Sequence, residues 1–233
     1  MLSLFADQER EAKLDSLGDP LTVLTDLSGR YSDFSGKGSV EAVKVVGQRY
    51  SHQGQRARSL DTIALLQQRG VRMTVLTNSL AATDLPLVHG GYMAYRQRLL
   101  QAGVELHEMR AWPDRKSRWR HPWRGSVSLH SKALIFDRRT AFVGSFNMDP
   151  RSAFWNTEIG VLLESEALAG QLYTLADQAM EGDVSYRLKL DKGRLRWHFT
   201  GPSGPMVSRF EGSGPWRRLL AWFSARFAPS DWL

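Results

Sequence analysis

Two stretches of the chain each join a helix-like apolar pattern to a strand-like pattern through a glycine. In LDTIALLQQRG, apolar residues such as Ile63 and Leu66 recur at helical spacing before Gly70, and the alternating segment VRMTVLT follows. In YMAYRQRLLQAG a second helix-like pattern ends at Gly103, before the strand-like VELHEM. A chain in which helices and strands alternate packs them in layers. We therefore predict an α/β layered fold.

Composition limits the class of protein. The 233 residues are 42% hydrophobic, which is enough to bury a normal core. There are no cysteines, which excludes disulfides, thiolate metal sites and a cysteine nucleophile. The net charge of +7 favours anionic partners such as phospholipid headgroups or nucleic acid. Neither a membrane span nor a signal peptide is predicted, because no apolar run reaches ~18 residues.

The chain divides into three regions that differ in composition and in hydrophobic periodicity. Residues 1–58 are rich in Gly, Ser, Gln and Arg and lack sustained periodicity, so we predict a poorly ordered or degenerate N-terminal segment with no strand before the helix at Leu60. Residues 59–200 carry the helix and strand patterns and form the predicted domain. Within them, the basic, tryptophan-rich segment from Trp112 to Arg124 fits either a solvated loop or an anion-facing one. Residues 201–233 form a C-terminal tail.

The richest polar pattern is SLHSKALIFDRRTAFVGSFNMDPRS, which starts at Ser128. Residues two apart on a strand share a face, so His130 and Lys132 point the same way. DRRT fits a tight turn, and AFVGSFN fits a second strand whose Ser145 and Asn147 also share one face. If the two strands pair as a hairpin, these four side chains surround a single point.

A third strand pattern, NTEIGVLLES, follows. It places Ile159, Val161 and Leu163 on one face, with Asn156 and Glu158 on the other. Glu158 is therefore free to face the same polar cluster.

This set of groups suits nucleophilic attack on a phosphoryl centre. A neutral imidazole from His130 attacks, while Lys132, together with Ser145 and Asn147, stabilises the charge on the phosphate oxygens. A carboxylate such as Glu158, accepting from the far ring nitrogen, fixes the tautomer. The chemistry requires no metal or other cofactor.

These residues match the pattern His-x-Lys-x4-Asp-x6-Gly-Ser-x-Asn at every fixed position, and so the chain resembles the phospholipase D superfamily through its HKD motif. Roughly residues 60–233 are similar to the second half of bacterial cardiolipin synthases. The resemblance implies a phospholipase D-like layered fold, with a mixed β-sheet flanked by helices, as a single half-repeat. It implies that His130 is one of two active-site histidines, that Lys132, Ser145 and Asn147 hold phosphate, and that Glu158 orients the imidazole.

Asp137 belongs to the same signature and to the catalytic set that we predict. Side chains alternate along a strand, and Asp137 is an odd number of residues from Lys132, so it lies off the catalytic face at a strand end. We therefore predict a structural hydrogen-bonding role for it.

The chain departs from the family in one respect, because cardiolipin synthases carry two HKD motifs and this sequence has one His-x-Lys. The other histidines, at positions 52, 89, 107, 121 and 198, lack the flanking pattern, and we interpret His89 as a packing or capping residue. We therefore predict a phosphatidyltransferase of the cardiolipin synthase type, acting through a phosphohistidine in a homodimer or with a missing N-terminal half. Two alternatives stay open: a metal-independent phosphodiesterase or nuclease homodimer, and a catalytically silent truncated remnant.

The expected partners follow from this chemistry. They are anionic phospholipid substrates, with nucleic acid disfavoured, at a cytoplasmic location on the inner face of the bacterial membrane. In the tail, GPWRRLLAWFSARFAPSDWL predicts a basic amphipathic helix whose apolar stripe contains Trp216, Leu219, Leu220, Phe223 and Phe227. That stripe suits either peripheral membrane contact or docking on the domain.

Overall fold

The computed structural model describes the side chains of residues 63, 66–112, 128–145 and 158–227, and it describes residues 2–49 only as the backbone of five strands. The chain forms two compact units. The first comprises Met1–Leu2, Thr74–His130 and Ala176–Leu233, and the second comprises Ser3–Met73 and Ser131–Leu175. In chain order the elements are β1 (Leu2–Asp7), β2 (Leu21–Leu27), β3 (Tyr31–Ser32), β4 (Ser39–Val40), β5 (Ala42–Arg49), β6 (Arg72–Asn78), α1 (Pro86–Met93), α2 (Arg96–Gln101), β7 (Glu105–Met109), β8 (Ala133–Phe136), β9 (Thr140–Gly144), β10 (Glu158–Glu164), α3 (Glu166–Ala179), β11 (Ser185–Asp191), β12 (Arg194–Gly201), β13 (Gly204–Ser208) and α4 (Pro215–Phe227).

In the first unit the strand order is β13-β12-β11-β7-β6. β6 and β7 run parallel, with α1 and α2 between them in the chain, and the other neighbours are antiparallel. For the strands that follow one another in the chain this agrees with connection length, because the parallel pair β6–β7 needs a long crossover whereas the antiparallel pairs β11–β12 and β12–β13 need only a short turn. Gly103 at φ 88° ends the crossover, a conformation that favours glycine.

In the second unit the strand order is β1-β8-β9-β10-β5-β2. β1 and β8 are parallel, and every later pair is antiparallel. The predicted fold class is confirmed: helices flank mixed sheets in a phospholipase D-like arrangement. Among the residues described, no helix is long and apolar enough to cross a membrane.

The structure corrects two local predictions. The single helix expected from Tyr92 to Gly103 is two helices, because α1 ends at Met93 and a tight turn, with Tyr95 N donating to Tyr92 O at 2.9 Å, precedes α2. A strand was not expected before the helix at Leu60, yet β5 occupies Ala42–Arg49 and pairs with both β2 and β10. Apart from the backbone of β1–β5, residues 1–58 lie outside the described part of the chain.

A buried ion-pair network ties together the elements of the first unit. The guanidinium of Arg96 lies 2.7 Å from a carboxylate oxygen of Glu108 and 2.7 Å from one of Glu211. Glu108, which is fully buried, also accepts hydrogen bonds from Tyr92 Oη at 3.1 Å and from Trp197 Nε1 at 2.9 Å. One cation on α2 thus connects α1, β7, β12 and the segment before α4.

We predict that Arg96→Met lowers the free energy of unfolding by about 3–5 kcal/mol, because it leaves two buried carboxylates without their counter-charge. The matched control is Arg98→Met, an exposed arginine on the same helix, which should change stability by less than ~0.5 kcal/mol. Urea unfolding followed by circular dichroism measures both variants. Equal stability of the two variants would show that the network does not hold this unit together.

Candidate functional site

The predicted hairpin is present and is formed by β8 and β9. Ala133 pairs with Val143 at its open end and Phe136 with Thr140 near the turn. The turn is closed by Arg139 N donating to Phe136 O at 3.0 Å, with Asp137 and Arg138 at φ 50° and 56°. Positive φ at both central residues is typical of a type I′ turn.

Gly144 is required where the motif has glycine. A Cβ at this position would lie 2.6 Å from the carbonyl oxygen of Ile159 and 2.7 Å from Cα of Gly160, so a side chain would displace backbone atoms of β10. The Gly144 amide also donates to the carbonyl of Lys132 at 3.1 Å. Close packing of β9 on β10 therefore fixes the strand end that carries Ser145.

Ser145 connects β9 to the first residue of β10. Its amide donates to Ile159 O at 2.8 Å, and its Oγ accepts the Ile159 amide at 3.1 Å. The Ser145 hydroxyl donates to the carboxylate of Glu158, which is only 7% exposed. The serine proton is therefore committed to Glu158, and a phosphate oxygen would compete with the carboxylate for it.

Three predicted site residues lie at the same end of neighbouring strands in the second unit. Lys132 precedes β8, Ser145 follows β9, and Glu158 begins β10. Because the three strands are antiparallel neighbours, these ends lie side by side. The alternation of β10 placed Glu158 on the polar face and Ile159 on the apolar face, yet Glu158 is buried and Ile159 is exposed.

His130 lies two residues before Lys132 and is exposed. The segment leading to it is held by Asn78, the last residue of β6. The Asn78 amide accepts the Leu129 N–H at 2.7 Å and donates to the Leu129 carbonyl at 2.9 Å and to Ser128 Oγ at 3.4 Å. The side chain of Asn78 thereby gives Leu129 the backbone hydrogen bonds that a neighbouring strand would otherwise supply.

Sequence reasoning missed Asn78. The available signal was a polar residue at the carboxyl end of a buried strand, in the segment VLTNS. Its partner is 51 residues away along the chain, so no local pattern could have named the contact.

The structure places the remaining predicted residues elsewhere or does not describe them. Asp137 lies in the hairpin turn, separated from Lys132 by the four residues of β8, roughly 16 Å along an extended strand. Its membership of the catalytic set stays a prediction. Asn147, Asn156 and the basic loop after Trp112 lie outside the described residues.

His89 is a packing residue, as the sequence predicted. It is buried in α1, and its Nε2 lies 2.6 Å from a guanidinium nitrogen of Arg96. Because a guanidinium can only donate, Nε2 must be the unprotonated acceptor. Burial, with the charge of Arg96 next in importance, holds the pKa of His89 well below its usual value.

The same network contains the donor set in the described residues that most resembles a metal site. Donor atoms of His89, Glu108 and Glu211 lie within 4.8 Å of one another. Arg96 contacts all three residues at 2.6–2.7 Å and already supplies the positive charge. These residues do not fit a metal ion while the guanidinium occupies the centre.

Comparison with known proteins agrees with this geometry. The family model described as cardiolipin synthase, PLD-like domain, matches residues 44–180, so the match begins within β5, before the segment at residue 60. Cardiolipin synthase C of Escherichia coli K12 is 37% identical over 171 residues, which cover 71% of this chain and 36% of that protein. Cardiolipin synthase A of Yersinia pseudotuberculosis YPIII is 25% identical over 139 residues, covering 60% of this chain and 25% of that protein.

Among solved structures, phosphatidylserine synthase of Haemophilus influenzae Rd KW20 superposes with a TM-score of 0.45 at 14% identity, covering 82% of this chain and 48% of that one. The chain spans about a third of the length of the Escherichia coli relative. The family match covers more than half of the 233 residues and includes β8, β9 and β10. The chain therefore belongs to the cardiolipin synthase family of phospholipase D-like domains.

Proposed function

We propose that this chain supplies one half of a phosphatidyltransferase site of the cardiolipin synthase type, which transfers a phosphatidyl group through a phosphohistidine. The single observation that carries the proposal is that Lys132, Ser145 and Glu158 lie at the same end of neighbouring strands, with His130 two residues before Lys132. Family membership supports the same chemistry.

In the first step, one nitrogen of the His130 imidazole attacks the phosphorus of a phospholipid. A P–N bond forms as the P–O bond to the leaving alcohol breaks, and the departing oxygen takes a proton from a general acid. Lys132 stabilises the charge on the phosphate oxygens as the phosphorus becomes five-coordinate, and we propose the same task for Asn147. In the second step an acceptor hydroxyl loses its proton to a base and attacks phosphorus, and the P–N bond breaks.

Glu158 is proposed to orient the imidazole. A carboxylate has about four acceptor positions, so it can accept from Ser145 and from a ring N–H at the same time. The bond from Ser145 would then hold the carboxylate in place, and the carboxylate would select the tautomer of His130. Ser145 therefore has a positioning role in addition to the proposed contact with phosphate.

The cycle needs a second group, which serves as acid in the first step and base in the second. Glu158 is committed to orienting His130, and no second His-x-Lys occurs in the sequence. We propose that a second copy of this chain, or the remaining part of a longer protein of the relatives' length, supplies the group. In a symmetric pair, two copies of His130 would face each other across the two-fold axis.

The proposed substrates are anionic phospholipids, which matches a chain with a net charge of +7. Because both donor and acceptor lie in a bilayer, we propose that the chain works at the inner face of the bacterial membrane through peripheral contact. Cleavage of plasmid DNA without turnover of lipid vesicles would instead favour a nuclease.

We predict that His130→Ala leaves less than ~1% of phosphatidyl transfer, because no other side chain can form the covalent intermediate. Lys132→Ala should cost at least about 10²–10³-fold in rate, since a preorganised charge is lost. Glu158→Gln should lower the rate while lipid binding survives. Release of labelled alcohol from phosphatidylglycerol vesicles measures turnover.

The matched control for Lys132 is Lys189→Ala, an exposed lysine on β11 that should leave the rate unchanged. Turnover by His130→Ala above one per cent would assign the nucleophile to another residue. Unchanged turnover by Glu158→Gln would remove that carboxylate from the mechanism.

We also predict that activity per chain rises with protein concentration, because the positioned acid or base from a second site contributes about 10²–10⁴-fold. An excess of His130→Ala chains should inhibit wild-type protein by forming mixed pairs. Size-exclusion chromatography at the assay concentrations gives the oligomeric state. A monomer that transfers phosphatidyl groups at a concentration-independent specific rate would rule out pairing.

A further inference from the structure

α4 packs on the first unit through a face that its apolar stripe does not occupy. Ala221 and Ser224 are its buried residues, and Gly90 of α1 lies so close that a Cβ there would be 2.5 Å from the Ala221 carbonyl oxygen. Ser224 Oγ donates to Leu87 O at 2.6 Å, and Arg217 Nε donates to Leu80 O at 3.0 Å. Small residues and hydrogen bonds to backbone carbonyls therefore dock this helix.

The aromatic side of α4 consequently points away from the unit. We call it the α4 aromatic face and define it as the residues that are each more than half exposed: Trp216, Leu219, Trp222, Phe223 and Phe227. Of the five residues in the predicted stripe, only Leu220 is half-buried. A helix that docked through its apolar stripe would bury these side chains, so docking on the domain does not explain them.

Exposed apolar residues also occur on and just before α1, the helix on which α4 packs. Leu87, whose carbonyl accepts from Ser224, is itself 50% exposed, and its neighbours Leu85 and Val88 are exposed as well. Exposed patches of this kind usually mark an interaction site.

Charge indicates which partner covers the face. The helix carries Arg217, Arg218 and Arg226 and no acidic residue. Arg226 is exposed beside Phe227, at 5.7 Å from its ring, and Arg218 lies 4.4 Å over the ring of Phe210 at the edge of the face. A two-fold contact between copies would bring these arginines together within a chain of net charge +7, which is unfavourable.

We propose that the α4 aromatic face, extended by Leu85, Leu87 and Val88, docks on an anionic phospholipid bilayer. Tryptophan and phenylalanine side chains enter the boundary between headgroups and acyl chains, while Arg218 and Arg226 contact lipid phosphates. This proposal deepens the proposed function and rests on it, because it names the surface that holds the chain where its substrates lie. It assigns α1 as well as α4 to that surface.

The test is co-sedimentation of the full chain with vesicles. The vesicles contain either 30% phosphatidylglycerol in phosphatidylcholine or phosphatidylcholine alone. Wild-type protein should bind the anionic vesicles at least ten-fold more tightly than the neutral ones. Trp222→Ser/Phe223→Ser should lose at least ten-fold in affinity for anionic vesicles, and Arg226→Glu should lose affinity mainly at low salt. All of these side chains are exposed, and thermal melts check that the variants fold.

The matched control is Leu175→Ser, an equally exposed leucine on α3, which should bind as wild type. Wild-type affinity of the Trp222→Ser/Phe223→Ser variant would overturn the proposal. So would a double variant that binds vesicles normally but has changed from dimer to monomer by analytical ultracentrifugation, since a second copy would then cover the face.

A soluble short-chain phosphatidylglycerol separates this proposal from the proposed function. The double variant should turn over that substrate at the wild-type rate and fail only on vesicles, whereas His130→Ala should bind vesicles and fail on both substrates. Loss of turnover on the soluble substrate in the double variant would assign the face to the site rather than to the membrane.

Discussion

The register between β9 and β10 decides where the functional side chains lie. Gly144 pairs with Gly160, and the two strands approach so closely that neither position tolerates a side chain in its present surroundings. In this register Ser145 follows the end of β9 and lies beside Ile159, the neighbour of Glu158, so its hydroxyl reaches the Glu158 carboxylate. The glycine of the HKD motif therefore acts through strand packing.

A second constraint acts on the first unit, where Arg96 neutralises two buried carboxylates and His89 stays uncharged. The same unit presents Asn78 to the backbone before His130 and docks α4 through Ser224 and Arg217. Buried polar contacts of this kind are costly unless every partner is present, so they favour one arrangement. Because these contacts dock α4 through Ser224 and Arg217, its aromatic side stays exposed.

The strands of the site could be predicted from sequence because period-two alternation and a turn signal are local features. β8, β9 and β10 lie within SLHSKALIF, TAFVGSFN and NTEIGVLLES, but β8 begins at Ala133, after His130 and Lys132, and β9 ends at Gly144, before Ser145. Three features could not be predicted, because each depends on contacts between distant residues. They are the hydrogen bonds between Asn78 and Leu129, the break between α1 and α2, and the buried face of α4. Small residues of α4 and Gly90 of α1 determine that face. The apolar stripe of α4 was visible in the sequence, but the side of the helix that is buried was not.

The most direct test of the central claim is to look for the covalent intermediate. The full chain is incubated with phosphatidylglycerol of defined acyl chains and denatured at alkaline pH, where phosphohistidine is stable. It is then mapped by mass spectrometry, with His130→Ala as the control. Our account predicts one phosphatidyl group on the peptide that contains His130 and none on the variant. No adduct on that peptide, or an adduct on any other residue, would contradict it.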